Sequence, residues 1–251
     1  MDHTFCPGAK LLRQPEPEEF ACTVCGGEVE IWTDEMQGIC PSCGATVYRD
    51  STMGCLDWCQ FGKECVGEEA YENYMTNKSI AVRRKLLDAI EEYFGDDAKR
   101  IDHAKRVLRF AEELLRVVEG ADFHIVIPAS ILHDVGIKAA EEKYGRADGK
   151  LQEEEGPPIA RKMVLSLGFK LEDVEEICEI IAHHHSPGII DSANFRVLYD
   201  ADMLENSRGE LEGRTAEEAD LFIDRTFLTK AGKELARSEL FEKAGGGRAN
   251  S

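Results

Sequence analysis

Two textures divide the chain. Up to about residue 78 the apolar positions are sparse and short in period: Glu28-Val29-Glu30-Ile31-Trp32 alternates, which predicts a strand with one face buried. From Ser79 onward the period lengthens to three and four residues, as amphipathic helices require. A helix capped by Ser79 is expected to run to about Phe94, ahead of Gly95-Asp96-Asp97, and another from about Ala98 to Val118, stopping at Gly120. In the second, His103, Val107, Phe110, Leu114 and Val117 form one stripe. Ile125 to Leu132 is an unbroken apolar run that fits a buried element. The polar stretch from Ala139 to Lys150 reads as a surface loop, and Gln152-Glu153-Glu154-Glu155-Gly156-Pro157-Pro158-Ile159-Ala160 opens a helix that ends near Gly168. A helix from about Leu171 buries Val174, Ile177, Cys178 and Ile181, and one capped by Ser192 aligns Phe195, Leu198, Tyr199 and Asp202. Helices around Ala219–Ile223 and Ala231–Leu240 close the bundle. The expected architecture is all-α with a small Cys-rich β unit: residues 1–78, a helical unit over 79–243, and a disordered tail over 244–251.

Charge narrows the partners. Of 251 residues, 49 are acidic and 30 basic, a net charge of −19. The first 78 residues share this excess of carboxylates, so nucleic acid is disfavoured on both units. No run of about 18 apolar residues predicts a membrane span. The N-terminus lacks a basic start followed by an apolar segment, so a cytoplasmic protein is expected.

The cysteines change the picture of the N-terminal unit. Cys22-x-x-Cys25 and Cys40-x-x-Cys43 put two thiol pairs on tight knuckles at either end of a hairpin, the arrangement that closes around tetrahedral zinc. The pattern resembles a zinc ribbon, which makes Cys22, Cys25, Cys40 and Cys43 ligands of a structural zinc. Cys55 and Cys59 stand four apart, on one face of a helix, with Cys65 six residues on and Cys6 able to fold back. These four either hold a second zinc or an iron–sulfur cluster, or are small packing residues. With little positive charge on it, the Cys-rich unit is expected to be a scaffold or a docking surface for a protein partner or a second copy of the chain.

The helical unit carries the other candidate chemistry. His133 and Asp134 are adjacent at the end of the apolar run, and neighbouring helical side chains diverge by about 100°. They can grip one ion only from neighbouring sides, so further ligands must come from other elements. His103 ends a buried stripe, where a single histidine is ordinarily a satisfied core residue. His184 and His185 continue the buried face of Ile177 and Ile181, whereas His183 points toward its edge. Asp202 lies on an apolar stripe, which is costly without a cation, and Asp200 turns toward the Val197–Leu204 side. Glu155 either favours a helix start through the macrodipole or adds a carboxylate to the metal site.

His103, His133-Asp134 and Asp202 in helical context resemble the metal-binding signature of the HD-domain superfamily of metal-dependent phosphohydrolases. Ile131-Leu132-His133-Asp134-Val135-Gly136 and Val197-Leu198-Tyr199-Asp200-Ala201-Asp202-Met203-Leu204 carry the resemblance, which covers roughly residues 80–240. It implies an all-α HD-domain bundle holding a divalent metal (Mn, Fe, Co, Ni, Mg or Zn) through His103, His133, Asp134 and Asp202. Two-metal members add a histidine before a Gly-x-x-Ile helix start and histidines at a later helix end. Here Glu155 precedes Gly156-Pro157-Pro158-Ile159 and His184-His185 stand at the second place. Many two-metal phosphodiesterases of the family have Lys straight after the Gly, whereas here Ile137 intervenes before Lys138. The expected function is hydrolysis of a phosphomonoester or phosphodiester in a nucleotide or other small phosphate. Asp134 would accept the water's proton, and His184, His185 and Lys138 would stabilise phosphate oxygens. Two other classes suit the same residues. One is a di-iron oxygenase of this fold; the other is a non-catalytic nucleotide sensor that docks a partner through its ribbon.

Overall fold

The computed structural model describes residues 14–35, 37–49, 56, 59, 61–211 and 213–242. These fall in two compact units, one made of residues up to Lys85 with Ser166–Phe169, the other of the remainder.

In the N-terminal unit, β1 (Pro17–Ala21) pairs antiparallel with β2 (Glu28–Trp32), and β3 (Gln37–Ile39) with β4 (Thr46–Tyr48). The predicted alternation holds in β2: Val29 and Ile31 are buried while Glu28, Glu30 and Trp32 face out. Val29, Ile31 and Val47 form a small core with Cys22 and Cys40. The two knuckles repeat one geometry. Gly26 N donates to Cys22 O and Gly44 N to Cys40 O, and both glycines sit at positive φ, 71° and 75°, which side chains with a Cβ rarely adopt. A short helix α1 (Gly62–Val66) precedes α2 (Glu68–Phe94), and the division between the units falls inside α2. Ser79 therefore lies within a helix and not at its start. The polar residues 68–78 extend the helix by three turns that carry no long apolar stripe to announce them.

The helical unit is built around α4 (Phe123–Leu132), which is apolar all round and buried from Ile125 to Leu132. Asp122 caps it by accepting from His124 N. It packs against α3 (Ala98–Leu115), α7 (Leu171–Ile181) and α8 (Ala193–Asn206), and α3 also lies along α8. By length and composition, residues 123–144 would suffice to cross a membrane, but 67% of the apolar window is buried inside the protein, the situation of a core helix. The chain breaks after Leu132 and resumes as α5 (Gly136–Tyr144), where sequence reading places part of a loop. Helix α6 (Gly149–Ser166) takes Pro157 and Pro158 into its interior, not its first turn. Helices α9 (Ala216–Thr226) and α10 (Lys230–Ala236) and a π-helical segment, Arg237–Glu242, complete the unit.

Two glycines set the approach of α5 to α6. A Cβ on Gly136 would run into the Gln152 carbonyl oxygen and lie 2.7 Å from Gly156 N, and one on Gly156 would lie 2.9 Å from Ile181 Cγ2. This close crossing follows directly on Asp134.

Candidate metal centre

Four separate segments deliver the side chains of the site. His103 comes from the middle of α3, His133 and Asp134 from the turn that ends α4, His184 and His185 from the turn after α7, and Asp202 from α8. At the ends of α4 and α7 the last carbonyls have no helical partner, and histidine rings take them up. His133 Nδ1 lies 2.9 Å from Ser130 O, and His184 Nδ1 lies 2.7 Å from Ile181 O. Each ring thus donates its Nδ1–H to backbone three residues earlier and turns the Nε2 lone pair into the site.

The inward atoms converge. His103 Nε2 is 3.3 Å from His133 Nε2 and 3.2 Å from Asp202 Oδ1, which is also 3.5 Å from His133 Nε2. Asp134 divides its carboxylate. Oδ2 is 3.4 Å from His103 Nε2 and 3.5 Å from His133 Nε2, whereas Oδ1 is 3.6 Å from His184 Nε2. Two ligand-competent triads result, His103–His133–Asp202 and Asp134–His184–His185, each with its donor atoms within 4.8 Å of one another.

Electrostatics supports a cation here. Burial alone would push the His133 pKa down, yet the carboxylates of Asp134 and Asp202 raise it to about 9. Burial would push Asp134 up, but His133 and His184 hold it at about 2. Asp202 is likewise desolvated, and His103 and His133 keep its carboxyl well below the usual range. His184 Nε2 and Asp202 Oδ1 are buried without an aligned hydrogen bond, although Asp134 Oδ1 lies 3.6 Å from the first and His103 Nε2 3.2 Å from the second. Leaving such atoms unbonded costs about 1–3 kcal/mol each. Nitrogen and oxygen donors converging from several sides, with buried lone pairs unspent, suit a divalent ion.

The site opens into a pocket of about 600 Å³ lined by His103, Asp134, His185 and Asp202, and by cations of α3: Lys99, Arg100 and Arg106. Arg100 is spent on Asp97 (2.7 Å) and Glu141 (2.7 Å).

The structure brings His103, His133, Asp134, His184, His185 and Asp202 together, and places the other expected residues elsewhere. Glu155 Oε1 accepts from Lys143 Nζ at 2.6 Å and Tyr144 Oη at 2.9 Å, outside both triads. Lys138 Nζ donates to Tyr93 O and sits over the Tyr93 ring, away from the pocket lining. His185 is exposed at the pocket edge, where Gln152 Oε1 is 2.9 Å from its Nε2. Glu153 holds the same turn through His185 N and Ser186 Oγ. In the sequence Gln152 and Glu153 read only as part of a helix start, because only the fold carries α6 to that turn. Asp200 is fully buried and accepts from Leu228 N, Thr229 N and Thr229 Oγ1, fixing the start of α10.

The four ribbon cysteines also converge. Cys22 Sγ is 3.6 Å from Cys43 Sγ, and Cys25 Sγ is 3.6 Å from Cys40 Sγ, with none in a disulfide. A tetrahedron of Zn–S bonds of about 2.3 Å has edges of about 3.8 Å, so the spacing suits a metal. Burial pushes the Cys40 thiol up, but backbone N–H groups of Ser42 and Cys43 outweigh it and bring the pKa to about 6. Cys43 gains from Ala45 N–H, yet crowding by Cys25 and the other thiols drives it to about 12. Four sulfurs this close cannot all ionise without a cation. Cys59 and Cys65 are half-buried and join no metal-competent group among the described residues, and Cys6 and Cys55 lie outside them.

A helical unit holding two His/Asp triads, in a chain that also carries a four-cysteine knuckle pair, defines the class. Residues 100–221 match the family model of the HD domain, and this chain carries an HD domain with a zinc-ribbon-like N-terminal unit. A crystal structure of a predicted HD superfamily hydrolase from an uncultured Thermotogales bacterium is 28% identical, the similarity covering 62% of this chain and 83% of that one at a TM-score of 0.46. No curated protein matches the chain.

Proposed function

We propose that this chain is a metal-dependent phosphohydrolase acting on a phosphomonoester or phosphodiester of a nucleotide or similarly small phosphate. The observation that carries the reading is Asp134, whose two oxygens face different triads at the floor of an open pocket with cationic residues on its wall. His103, His133, Asp134 and Asp202 would hold a divalent ion, and His184 and His185 with Asp134 a second. When bound, such an ion supplies a Lewis acid that acidifies a water and offsets charge on a phosphoryl group.

The remaining work falls to the protein's own groups. Asp134, with a pKa near 2, stays ionised and orients the attacking water by accepting its hydrogen bond. His133 and His184, locked by Ser130 O and Ile181 O, keep their Nε2 atoms aimed without reorganisation. In a chain of net charge −19, the α3 cations provide the local field that admits an anion. The Cys-rich unit would hold structural zinc and remain available to a protein partner or second copy.

The test is to strip the purified protein with a chelator and reload it with Mn, Fe, Co, Ni, Mg or Zn. Release of p-nitrophenol is then measured from p-nitrophenyl phosphate and bis(p-nitrophenyl) phosphate, and hydrolysis products are resolved from a nucleotide panel. Metal-dependent turnover that Asp134→Ala abolishes is expected. Two irons with oxygen consumption and no hydrolysis would replace this reading with the oxygenase. Nucleotide binding without turnover under every ion would replace it with the sensor.

A further inference from the structure

Helices α3 and α8 face each other with two charged rungs one turn apart. The first is His103–Asp202, part of the metal centre. Three residues on along both helices, Arg106 Nε donates to Glu205 Oε1. The Glu205 carboxylate is nearly buried, with 8% of its side chain exposed; its Oε2 pairs with Arg208 Nε at 2.9 Å without an aligned hydrogen bond, so the bond from Arg106 is the one that anchors it. A buried carboxylate that lost this partner would be left uncompensated.

The anchor takes only one of Arg106's nitrogens. Among the described residues its bonds run from Nε alone, while the side chain is 39% exposed and lines the same pocket as His103 and Asp134. The neighbouring cations differ. Arg100 has spent both terminal nitrogens, on Asp97 and Glu141, and Lys99 is an exposed point charge without a planar edge. Arg106 is therefore the α3 cation whose paired terminal donors remain for a ligand. Its position on α3 is three residues, a rise of roughly 4.5 Å, along the same wall from His103.

We infer that Arg106, aimed by Glu205, is the bidentate contact for the phosphoryl group that enters the metal centre. This rests on the phosphohydrolase reading and adds a residue to it. Planar Nη donors match two oxygens of a phosphate, and Lys cannot reproduce that match. Glu205 is a positioning residue that restricts the guanidinium before substrate arrives.

The experiment measures binding of inorganic phosphate to the full-length, metal-loaded protein by calorimetry, and separately its competition with the best substrate from the panel. Metal content and thermal unfolding are recorded for every variant. Arg106→Gln and Arg106→Lys should each weaken phosphate on the order of tenfold or more, the value of a charge-assisted bidentate contact. Both should raise KM with little loss of bound metal. Glu205→Gln should raise KM less. Lys99→Gln removes the same unit of charge from the pocket and should weaken phosphate less than Arg106→Gln. Arg106→Lys keeps the charge beside buried Glu205, so it remains informative if Arg106→Gln does not fold.

Wild-type affinity in Arg106→Lys, or an equal loss in Lys99→Gln and Arg106→Gln, would overturn the inference. So would a wild-type protein that binds no phosphate. If wild type turns over substrate but Arg106→Lys binds phosphate normally, this inference alone fails. If wild type binds phosphate yet hydrolyses nothing, the phosphohydrolase reading fails while the comparison of variants still decides the role of Arg106.

Discussion

His133 and His184 are oriented by the same device at the ends of two different helices. Each gives Nδ1 to the backbone carbonyl three residues before it, Ser130 O and Ile181 O, and their rings meet edge-on with centroids 5.4 Å apart. The device needs no side-chain partner, so a helix terminus plus a histidine suffices to aim a ligand. It also makes each ring separable, because the two histidines serve different triads.

That separation predicts distinct losses. His133→Ala removes the centre of the first triad and leaves Asp202 buried beside one histidine, so metal binding and turnover should both disappear. His184→Ala spares the first triad and should reduce divalent-ion stoichiometry by one, with any remaining ion bound normally. Elemental analysis after gel filtration reads both outcomes. Equal stoichiometry in His184→Ala and wild type would show that the second triad holds no ion.

Gly136→Ala tests the crossing that supports Asp134. The added methyl would overlap the Gln152 carbonyl oxygen and press on Gly156 N, both of them backbone atoms that cannot rotate away. Overpacking of this kind costs about 1–3 kcal/mol. Because the shifted segment lies two residues from Asp134, activity should fall more than stability alone accounts for. Denaturant unfolding beside turnover at a temperature where the variant is fully folded separates the two. An unchanged midpoint would mean that α5 and α6 move apart at little cost.

The same comparison shows what was legible in the sequence. His103, Asp202, His184 and the apolar run of α4 announced themselves because helical periodicity assigns a face to each position, and a polar group on a buried face needs an explanation. The Cys22–Cys25 and Cys40–Cys43 knuckles were legible because thiol spacing fixes turn geometry. The polar start of α2 was not, since its stripe is only Tyr71, Tyr74 and Met75, a single turn among polar residues whose packing against Leu56 and Val66 appears only in the fold. Sequence reading opens α6 over Gln152 to Ala160 with the prolines suited to its first turn, whereas the helix begins at Gly149 and carries Pro157 and Pro158 in its interior. Arg106, Gln152 and Glu205 could not be found by any local pattern. Each has its partner 33 or 99 residues away, and nothing in the intervening sequence encodes that meeting.

Asp200, two residues from Asp202, should separate structure from chemistry. Its carboxylate accepts from Leu228 N, Thr229 N and Thr229 Oγ1 and sits against Gly232, so it ties α8 to the start of α10. Asp200→Ala strands buried donors and should cost about 1–3 kcal/mol or more. The folded fraction should still bind metal, because no ligand is lost. Urea unfolding and metal content on one preparation check this. Loss of metal with full stability would make Asp200 part of the centre after all.

The cysteine knuckles predict a metal that is held for folding and not for turnover. Sulfurs 3.6 Å apart in two pairs, with one thiol drawn down to about 6 and another driven up to about 12, describe a cluster that repels itself unless a cation neutralises it. The core it joins is small: Val29, Ile31 and Val47 with two of the cysteines. Without the ion, so few buried side chains cannot offset the entropy of ordering the hairpins, and the N-terminal unit should unfold. Cys22→Ser with Cys25→Ser should therefore release one zinc per chain and abolish amide protection in β1 to β4. Helix α4, buried from Ile125 to Leu132 by its own neighbours, should keep its protection. Hydrogen exchange with mass-spectrometric readout resolves the two units in one measurement. Retained protection in β2 and β3 after the zinc is gone would show that the hairpins stand on their packing alone.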